Sequence, residues 1–279
     1  MTNNLEFRAD LVYGATHTRK TTNVGMAAEF FHSTLGLKSH MWTADGGGLE
    51  PVSLLIKKGI LEVQTLDADT DNPIERMTKA SRGEWPNAQG KMAPCTEPLG
   101  IVAFEGIYSL GELILARLRH QGVKLQQGPS FSYAEGSSVF HGANMTYYGF
   151  AQELLRDSIK SSHKIANAQR VIWTSLEDAA DNETTMRREG GPASPGNKMV
   201  TRTVQSFCNT MRLTKEGDSH CLYTTRHNDK NGIEFPAGVR VPYQFADKIP
   251  KKLENGTIAD IYRLLAQVNP STNQQGETK

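Results

Sequence analysis

The apolar residues in the first quarter of the chain fall into runs that alternate between strand-like and helix-like spacing. Short apolar runs at residues 11–13, 39–44 and 60–66 predict buried strands. Between them, residues 20–35 and 50–58 carry apolar side chains at helical spacing. This alternation predicts an α/β fold with a mostly parallel β-sheet flanked by helices, in which ligands bind at the carboxyl ends of the strands.

The rest of the chain continues this pattern around a polar insertion and then changes character. The expected segments are an insertion (67–98), a strand (99–106), a helix (107–121), a hairpin or flexible segment (123–145), a helix (147–165), a strand (169–175), a mobile loop (176–198), late antiparallel strands (210–242) and a helix (257–268). The 279 residues, 38% of them hydrophobic, suffice for one large core. We therefore expect one domain over residues 1–250, and a C-terminal helix with a disordered tail over residues 251–279.

A phosphate-binding loop is predicted where the first strand meets the first helix. The pattern Gly, four residues, Gly-Lys-Ser/Thr lets backbone N–H groups surround phosphate oxygens at a helix N-terminus. Here Lys20 would reach the β- and γ-phosphates, and the Thr21 hydroxyl would take one coordination position on Mg²⁺. The candidate nucleotide-binding residues are Gly14, Ala15, Thr16, His17, Thr18, Arg19, Lys20, Thr21 and Thr22.

Arg19 occupies the position of the second glycine in that pattern. If this position requires a positive φ, an arginine there costs about 1 kcal/mol or more. Its charge, in contrast, favours phosphate. Two outcomes follow from the residues alone: the loop binds nucleotide in an altered form, or it has lost its activity. The alternative is an ordinary strand–turn–helix connection with a solvent-exposed lysine.

Two carboxylates follow predicted strands and are candidates for catalysis. Glu105 would act as a Mg²⁺ ligand or as a base for the attacking water, and Asp45 would orient that water. Thr174 or Ser175, at the end of another strand, would contact the γ-phosphate. Each carboxylate also has a structural explanation, since Glu105 could cap the following helix and Asp45 could form the turn before three glycines.

Composition and charge narrow the class of protein only slightly. The formal net charge is +1, so any nucleic-acid binding must use a local basic patch. The three cysteines are widely spaced and indicate free thiols in a reducing compartment. No run of residues has the length and apolar character of a membrane span. The first residues also do not show the basic region followed by an apolar run that is typical of a secretion signal. We therefore expect a cytoplasmic protein that does not contact membranes.

With these motifs placed, the chain resembles the RecA-like P-loop ATPases of tailed bacteriophages, the group associated with single-strand-annealing recombination. The resemblance covers roughly residues 11–242. The sequences that carry it are Tyr-Gly-Ala-Thr-His-Thr-Arg-Lys-Thr-Thr, Ile-Val-Ala-Phe-Glu-Gly, Tyr-Ser-Leu-Gly-Glu-Leu, Val-Ile-Trp-Thr-Ser and Gly-Gly-Pro-Ala-Ser-Pro-Gly-Asn-Lys. Arg19 departs from the family's usual glycine, and Glu105 stands where an aspartate is common.

The resemblance implies a RecA-like P-loop NTPase core with late antiparallel strands and Mg²⁺-dependent binding of ATP. It also implies hydrolysis linked to single-stranded DNA or to an annealing or replication protein, and a homo-oligomer with nucleotide between subunits. The candidate DNA-binding residues are Arg187, Arg188, Lys198 and Arg202.

Three functions compete at this point. The first is an ATPase that acts in phage DNA recombination, replication or repair. The second is a catalytically weak, nucleotide-binding scaffold protein, which the degenerate position Arg19 favours. The third is a small-molecule kinase, for which Arg187 and Arg188 would belong to a lid over the phosphate acceptor.

Overall fold

The structure is a computed structural model, and it describes residues 9–44, 48–67, 70, 72–121, 145–182, 187–193, 195, 203–241 and 243–268. The strands are β1 (Ala9–Gly14), β2 (Lys38–Thr43), β3 (Leu61–Thr65), β4 (Glu84–Pro86), β5 (Met92–Pro94), β6 (Leu99–Glu105), β7 (Ala168–Asn182), β8 (Arg187–Pro192), β9 (Asn209–Glu216), β10 (Ser219–Tyr223), β11 (Thr225–Asn228), β12 (Glu234–Gly238) and β13 (Lys252–Glu254). The α-helices are α1 (Lys20–Leu35), α2 (Ser53–Lys57), α3 (Pro73–Ala80), α4 (Ile107–Gln121), α5 (Met145–Ser162) and α6 (Ile258–Val268), and 3-10 helices span Glu50–Val52 and Tyr243–Lys248.

One half of the main sheet is parallel. Its strands lie in the order β9, β1, β7, β6, β2, β3, and each neighbouring pair is parallel. The predicted alternation of strands and helices from β1 to β3 is confirmed. Successive side chains of a strand point to opposite faces, and two apolar clusters result, one shared with α1, α2 and α6 and the other with α3, α4 and α5.

The other half of the sheet closes on itself. Strand β7 is 15 residues long, and beyond its parallel pairing with β1 it continues as the antiparallel partner of β8. Strand β8 then pairs with β12, β12 with β9, and β9 with β1. The result is a closed five-strand barrel of β1, β7, β8, β12 and β9 with mixed parallel and antiparallel pairs.

This barrel corrects the expected fold. A RecA-like core, with a mostly parallel sheet flanked by helices, is wrong for this chain because the strands form a mixed sheet that closes into a barrel. The expected mobile loop at 176–198 contains the second half of β7 and all of β8. Closure also gives the polar strand edges of this segment hydrogen-bonding partners. The segment 123–144 and the tail from residue 269 lie outside the described residues.

The helix α6 is fixed to β1 through a buried carboxylate. Asp10 is fully buried, and it accepts hydrogen bonds from the Tyr262 hydroxyl (2.8 Å) and from Asn209 Nδ2 (2.6 Å). The guanidinium of Arg170 lies 4.0 Å from the same carboxylate. These contacts give the buried carboxyl group of Asp10 the hydrogen-bonding partners and the nearby positive charge that a polar group needs in a protein interior. They therefore fix the C-terminal helix against the strand that leads into the predicted phosphate loop.

The insertion at residues 67–98 packs on the sheet through aromatic rings. It contains α3 and the β4–β5 hairpin, and its Trp85 stacks on His40 with ring centroids 3.9 Å apart. Trp85 also contacts Trp42 edge to face at 5.0 Å. Burial outweighs the attraction of Glu62, 3.7 Å away, and lowers the pKa of His40 to about 4. The imidazole is therefore neutral at pH 7.

This packing predicts a loss of stability in acid. The pKa of His40 falls from 6.5 in the unfolded chain to about 4 in the fold, so its contribution is complete above pH 6.5 and is lost as the pH falls towards 4. We expect this one group to cost the fold about 2–3 kcal/mol at pH 4. Urea unfolding of wild type and His40→Gln, followed by tryptophan fluorescence at several pH values, measures the difference. A stability difference between the two proteins that does not change between pH 7 and 4 would contradict this.

Candidate functional site

The predicted phosphate loop lies at the carboxyl end of β1, in the parallel half of the sheet. The strand ends at Gly14, α1 begins at Lys20, and residues 15–19 join them. Gly14 is required by packing, because a Cβ there would lie 2.2 Å from the carbonyl oxygen of Leu213 on β9. Inside the loop, the Thr18 hydroxyl donates a hydrogen bond of 2.8 Å to the carbonyl of Ala15. The loop therefore has a defined shape, with Thr18 buried beneath it.

Arg19 has the backbone conformation that the glycine of the pattern would supply. Its φ is 67° and its ψ is 32°, in the left-handed region. Its carbonyl accepts hydrogen bonds from the backbone N–H (2.9 Å) and the Nδ2 (3.0 Å) of Asn23. The buried Asn23 also accepts a bond from the N–H of Ile258 at the start of α6. Local hydrogen bonds from Asn23, which is itself held by a tertiary contact with α6, thus stabilise a conformation that costs a non-glycine residue about 1 kcal/mol.

The Lys20 ammonium folds back over the loop. Its Nζ donates hydrogen bonds to the carbonyls of Gly14 (2.9 Å) and Ala15 (2.7 Å). Burial lowers the pKa of Lys20, and the carboxylates of Glu177 and Glu105 act in the opposite direction. The side chain is therefore not the freely solvated lysine of an ordinary turn. It lies at the loop, where phosphate oxygens could replace the two carbonyls.

Thr21 and Glu105 meet beside this lysine. The Thr21 hydroxyl donates a short hydrogen bond to Glu105 Oε1, although the two residues are 84 positions apart in sequence. Glu105 is buried at the carboxyl end of β6, two strands away from β1. The following backbone N–H, of Gly106, donates to the Thr174 hydroxyl on the intervening strand β7 (3.0 Å). The start of α1, the end of β6 and the middle of β7 therefore contribute polar groups near the end of β1.

The other predicted site residues are not all in this group. Ser175 donates its hydroxyl to the carbonyl of Ala193 at 2.6 Å, so it fixes the end of β8 and not the loop. Ala15, Thr16 and His17 are exposed. Thr22 is half-buried in the first turn of α1. Arg187 and Arg188 belong to β8, and Arg188 is exposed. The remaining candidates, Asp45, Lys198 and Arg202, lie outside the described residues.

Sequence reasoning missed a partly buried ion pair next to the loop. Arg212 on β9 donates from Nε to Glu177 Oε2 at 2.8 Å and from a terminal nitrogen to Oε1 at 3.3 Å. The guanidinium also lies 3.4 Å from the centre of the Phe235 ring. One signal was available in the sequence, since Arg212 is the one charged residue in the run 210–214, which is predicted to be a strand. Its partner Glu177 could not be predicted, because no local sequence pattern indicates that β7 and β9 lie on either side of β1.

Comparisons with known proteins leave this geometry as the main guide to function. No protein-family model matches the chain, and no curated protein sequence matches it significantly. Within the described part of the chain, no helix has both the length and the apolar character needed to cross a bilayer. The described residues also contain no cluster of three or more His, Cys, Asp or Glu side chains that could hold a metal ion.

The left-handed conformation of Arg19 generates a stability prediction. Arg19→Gly should raise the free energy of unfolding by about 0.5–1 kcal/mol, because glycine adopts a positive φ without steric cost. Arg156→Gly, in the exposed part of α5, is the matched control and should lower it by about 1 kcal/mol. Urea denaturation of both variants gives the comparison. A destabilised Arg19→Gly protein would show that the arginine side chain contributes more than its backbone costs.

Proposed function

We propose that this chain binds Mg²⁺–ATP at residues 14–22 and hydrolyses it. One observation carries the proposal: the Lys20 ammonium and the adjacent Thr21 hydroxyl lie at the end of β1 together with the Glu105 carboxylate, which is 84 positions from Thr21 in sequence. These are the groups that neutralise a phosphate, hold a magnesium ion and activate or orient a water molecule.

Phosphate recognition would come from the loop and from α1. A helix of 16 residues begins directly at the loop, and the unpaired N–H groups of its first turn carry partial positive charge that favours an anion. Lys20 adds a full charge at the same place. In the structure its ammonium bonds to the carbonyls of Gly14 and Ala15, so phosphate would exchange these two contacts for stronger, charge-assisted ones.

The residues present fit a magnesium ion. Mg²⁺ prefers oxygen ligands and keeps several waters, so one or two protein groups suffice when phosphate oxygens complete its shell. The Thr21 hydroxyl and Glu105, which already contact each other, would be those groups. When bound, the ion would supply charge neutralisation for the β- and γ-phosphates. The Thr21–Glu105 hydrogen bond holds both oxygens in place before it arrives.

Hydrolysis would depend on the position of Glu105. Phosphoryl transfer needs mainly alignment and charge neutralisation. Glu105 is buried, and the bond from Gly106 to Thr174 fixes the backbone that follows it. It would orient the attacking water directly or through the metal shell. Asp45, the second predicted carboxylate, lies outside the described residues and its role stays a prediction.

A second function is favoured by the backbone of Arg19. The observed φ of 67° places a long charged residue where the usual pattern has glycine, and the side chain is exposed at the loop. Such a loop could hold nucleotide while the arginine side chain at this position prevents efficient turnover. The chain would then be a nucleotide-binding scaffold protein and not an ATPase.

The biological setting rests on the resemblance in the sequence. We propose on that basis a role in phage DNA recombination, replication or repair, in the cytoplasm of the host cell. Single-stranded DNA, an annealing or replication protein and further copies of the chain are the proposed partners. Of the basic candidates, the exposed Arg188 on β8 is available at the surface for such a contact.

Phosphate release from Mg²⁺–ATP tests the proposal. Lys20→Ala should weaken ATP binding by about 10- to 100-fold, because hydrogen bonds to a charged group contribute about 1.5–3 kcal/mol. Glu105→Gln should retain binding and lose turnover by about 100-fold or more. Lys79→Ala, which removes an exposed lysine paired with Glu75, is the control and should change neither. Each protein is assayed with and without single-stranded DNA.

The outcomes separate the candidate functions. DNA-stimulated turnover that Lys20→Ala abolishes would support the recombination-type ATPase. Binding without turnover, sensitive to Lys20→Ala, would support the scaffold. Wild-type protein that does not bind ATP at millimolar concentration, or binds it as well after Lys20→Ala, would refute a phosphate site at this loop.

A further inference from the structure

A partly buried ion pair lies next to the proposed phosphate loop. The Arg212 side chain is 6% exposed and that of Glu177 is 21% exposed, and the guanidinium bonds the carboxylate through two nitrogens. A third guanidinium nitrogen lies 2.6 Å from Nε2 of His227 on β11. Charge-assisted, two-point contacts of this kind have a fixed geometry. The ion pair therefore has a fixed geometry within the fold, unlike a contact between exposed surface side chains.

The closed barrel is what holds Arg212 in this position. Phe235 on β12 lies under the guanidinium, and its ring occupies space that Gly190 on β8 leaves open, because a Cβ at Gly190 would lie 2.1 Å from the ring. His227 is itself stacked on Tyr223 with centroids 3.6 Å apart. Several strands thus contribute contacts to the buried guanidinium of Arg212. A buried charge without a partner would cost the fold free energy.

The sheet register places this pair beneath the loop. Gly14 pairs with Leu176 on β7, so Glu177 is the next residue beyond the end of β1. On the other side, Arg212 pairs with Tyr13. The Lys20 ammonium bonds to the carbonyl of Gly14. Glu177 interacts electrostatically with Lys20.

Two carboxylates, those of Glu105 and Glu177, would therefore compete with phosphate for the ammonium of Lys20. Glu105 has a use in the proposed function, since it faces Thr21 and the metal position. An ionised Glu177 without a partner would repel the triphosphate and attract Lys20 away from it. With Arg212 in place, the pair has no net charge.

We propose that Arg212 is a positioning residue for nucleotide binding, whose guanidinium neutralises Glu177 and so leaves Lys20 available to phosphate. This inference rests on the proposed function, and it assigns to the barrel a role in the affinity of the loop. Arg212 acts through Glu177, and no contact between Arg212 and the nucleotide is required. The effect of losing Arg212 should therefore disappear when Glu177 is also made neutral.

A double-mutant cycle tests this dependence through equilibrium binding of Mg²⁺–ATP. Arg212→Met should weaken binding by about tenfold, because it leaves an unpaired carboxylate beside Lys20. Glu177→Gln alone should not weaken binding. The double variant should return to within about threefold of wild type. Arg226→Met, which removes an exposed arginine of β11 paired with Glu234 on β12, is the matched control and should bind as wild type does.

The results also distinguish positioning from a purely structural role. Circular dichroism and thermal denaturation establish which variants are folded. A folded Arg212→Met protein with wild-type affinity, or a double variant as weak as Arg212→Met, would overturn the inference. If Arg212→Met does not fold, Glu177→Gln decides, since weaker binding in that variant would overturn it and unchanged or tighter binding would support it. Wild-type protein that binds no nucleotide refutes the proposed function together with this inference.

Discussion

The close approach of β9 to the end of β1 is the constraint on which the rest of the structure depends. At Gly14 the carbonyl oxygen of Leu213 occupies the place of a Cβ, so only glycine lets the two strands pair to their ends. With β7 on its other side, β1 is completely buried. The same pairing starts the closed barrel, and it determines where the loop leaves the sheet. A side chain at residue 14 would therefore disturb the barrel and the loop together.

The site and the barrel are coupled through charge. Next to the loop, Thr21 meets Glu105 at the end of β6. Glu177, on β7, lies one residue beyond the end of β1 and is neutralised by Arg212 from β9. Lys20 lies within the electrostatic influence of both carboxylates. The barrel therefore pairs the charge of Glu177 as well as fixing the position of the loop.

Local patterns predicted the loop region well. The spacing of apolar residues predicted β1, α1, β2 and β3. The missing glycine left open whether Arg19 would have a positive φ or the loop would avoid it, and in the structure Arg19 has a positive φ. The barrel was not predictable in this way. It depends on long-range pairing of β8 with β12 and of β12 with β9, and the polar, glycine-rich composition of residues 176–198 is typical of a loop. The Arg212–Glu177 pair and the contact between Asp10 and Tyr262 were missed for the same reason, since each joins residues that are distant in sequence and are brought together only by the tertiary structure.

A crystal structure with Mg²⁺ and a non-hydrolysable ATP analogue would test the central claim most directly. We predict that the γ-phosphate lies against residues 14–20, that Lys20 Nζ exchanges the carbonyl of Ala15 for a phosphate oxygen, and that the Thr21 hydroxyl coordinates the metal ion. Nucleotide bound elsewhere on the protein, with Lys20 still bonded to the loop carbonyls and Thr21 still bonded to Glu105, would contradict a phosphate site at the end of β1.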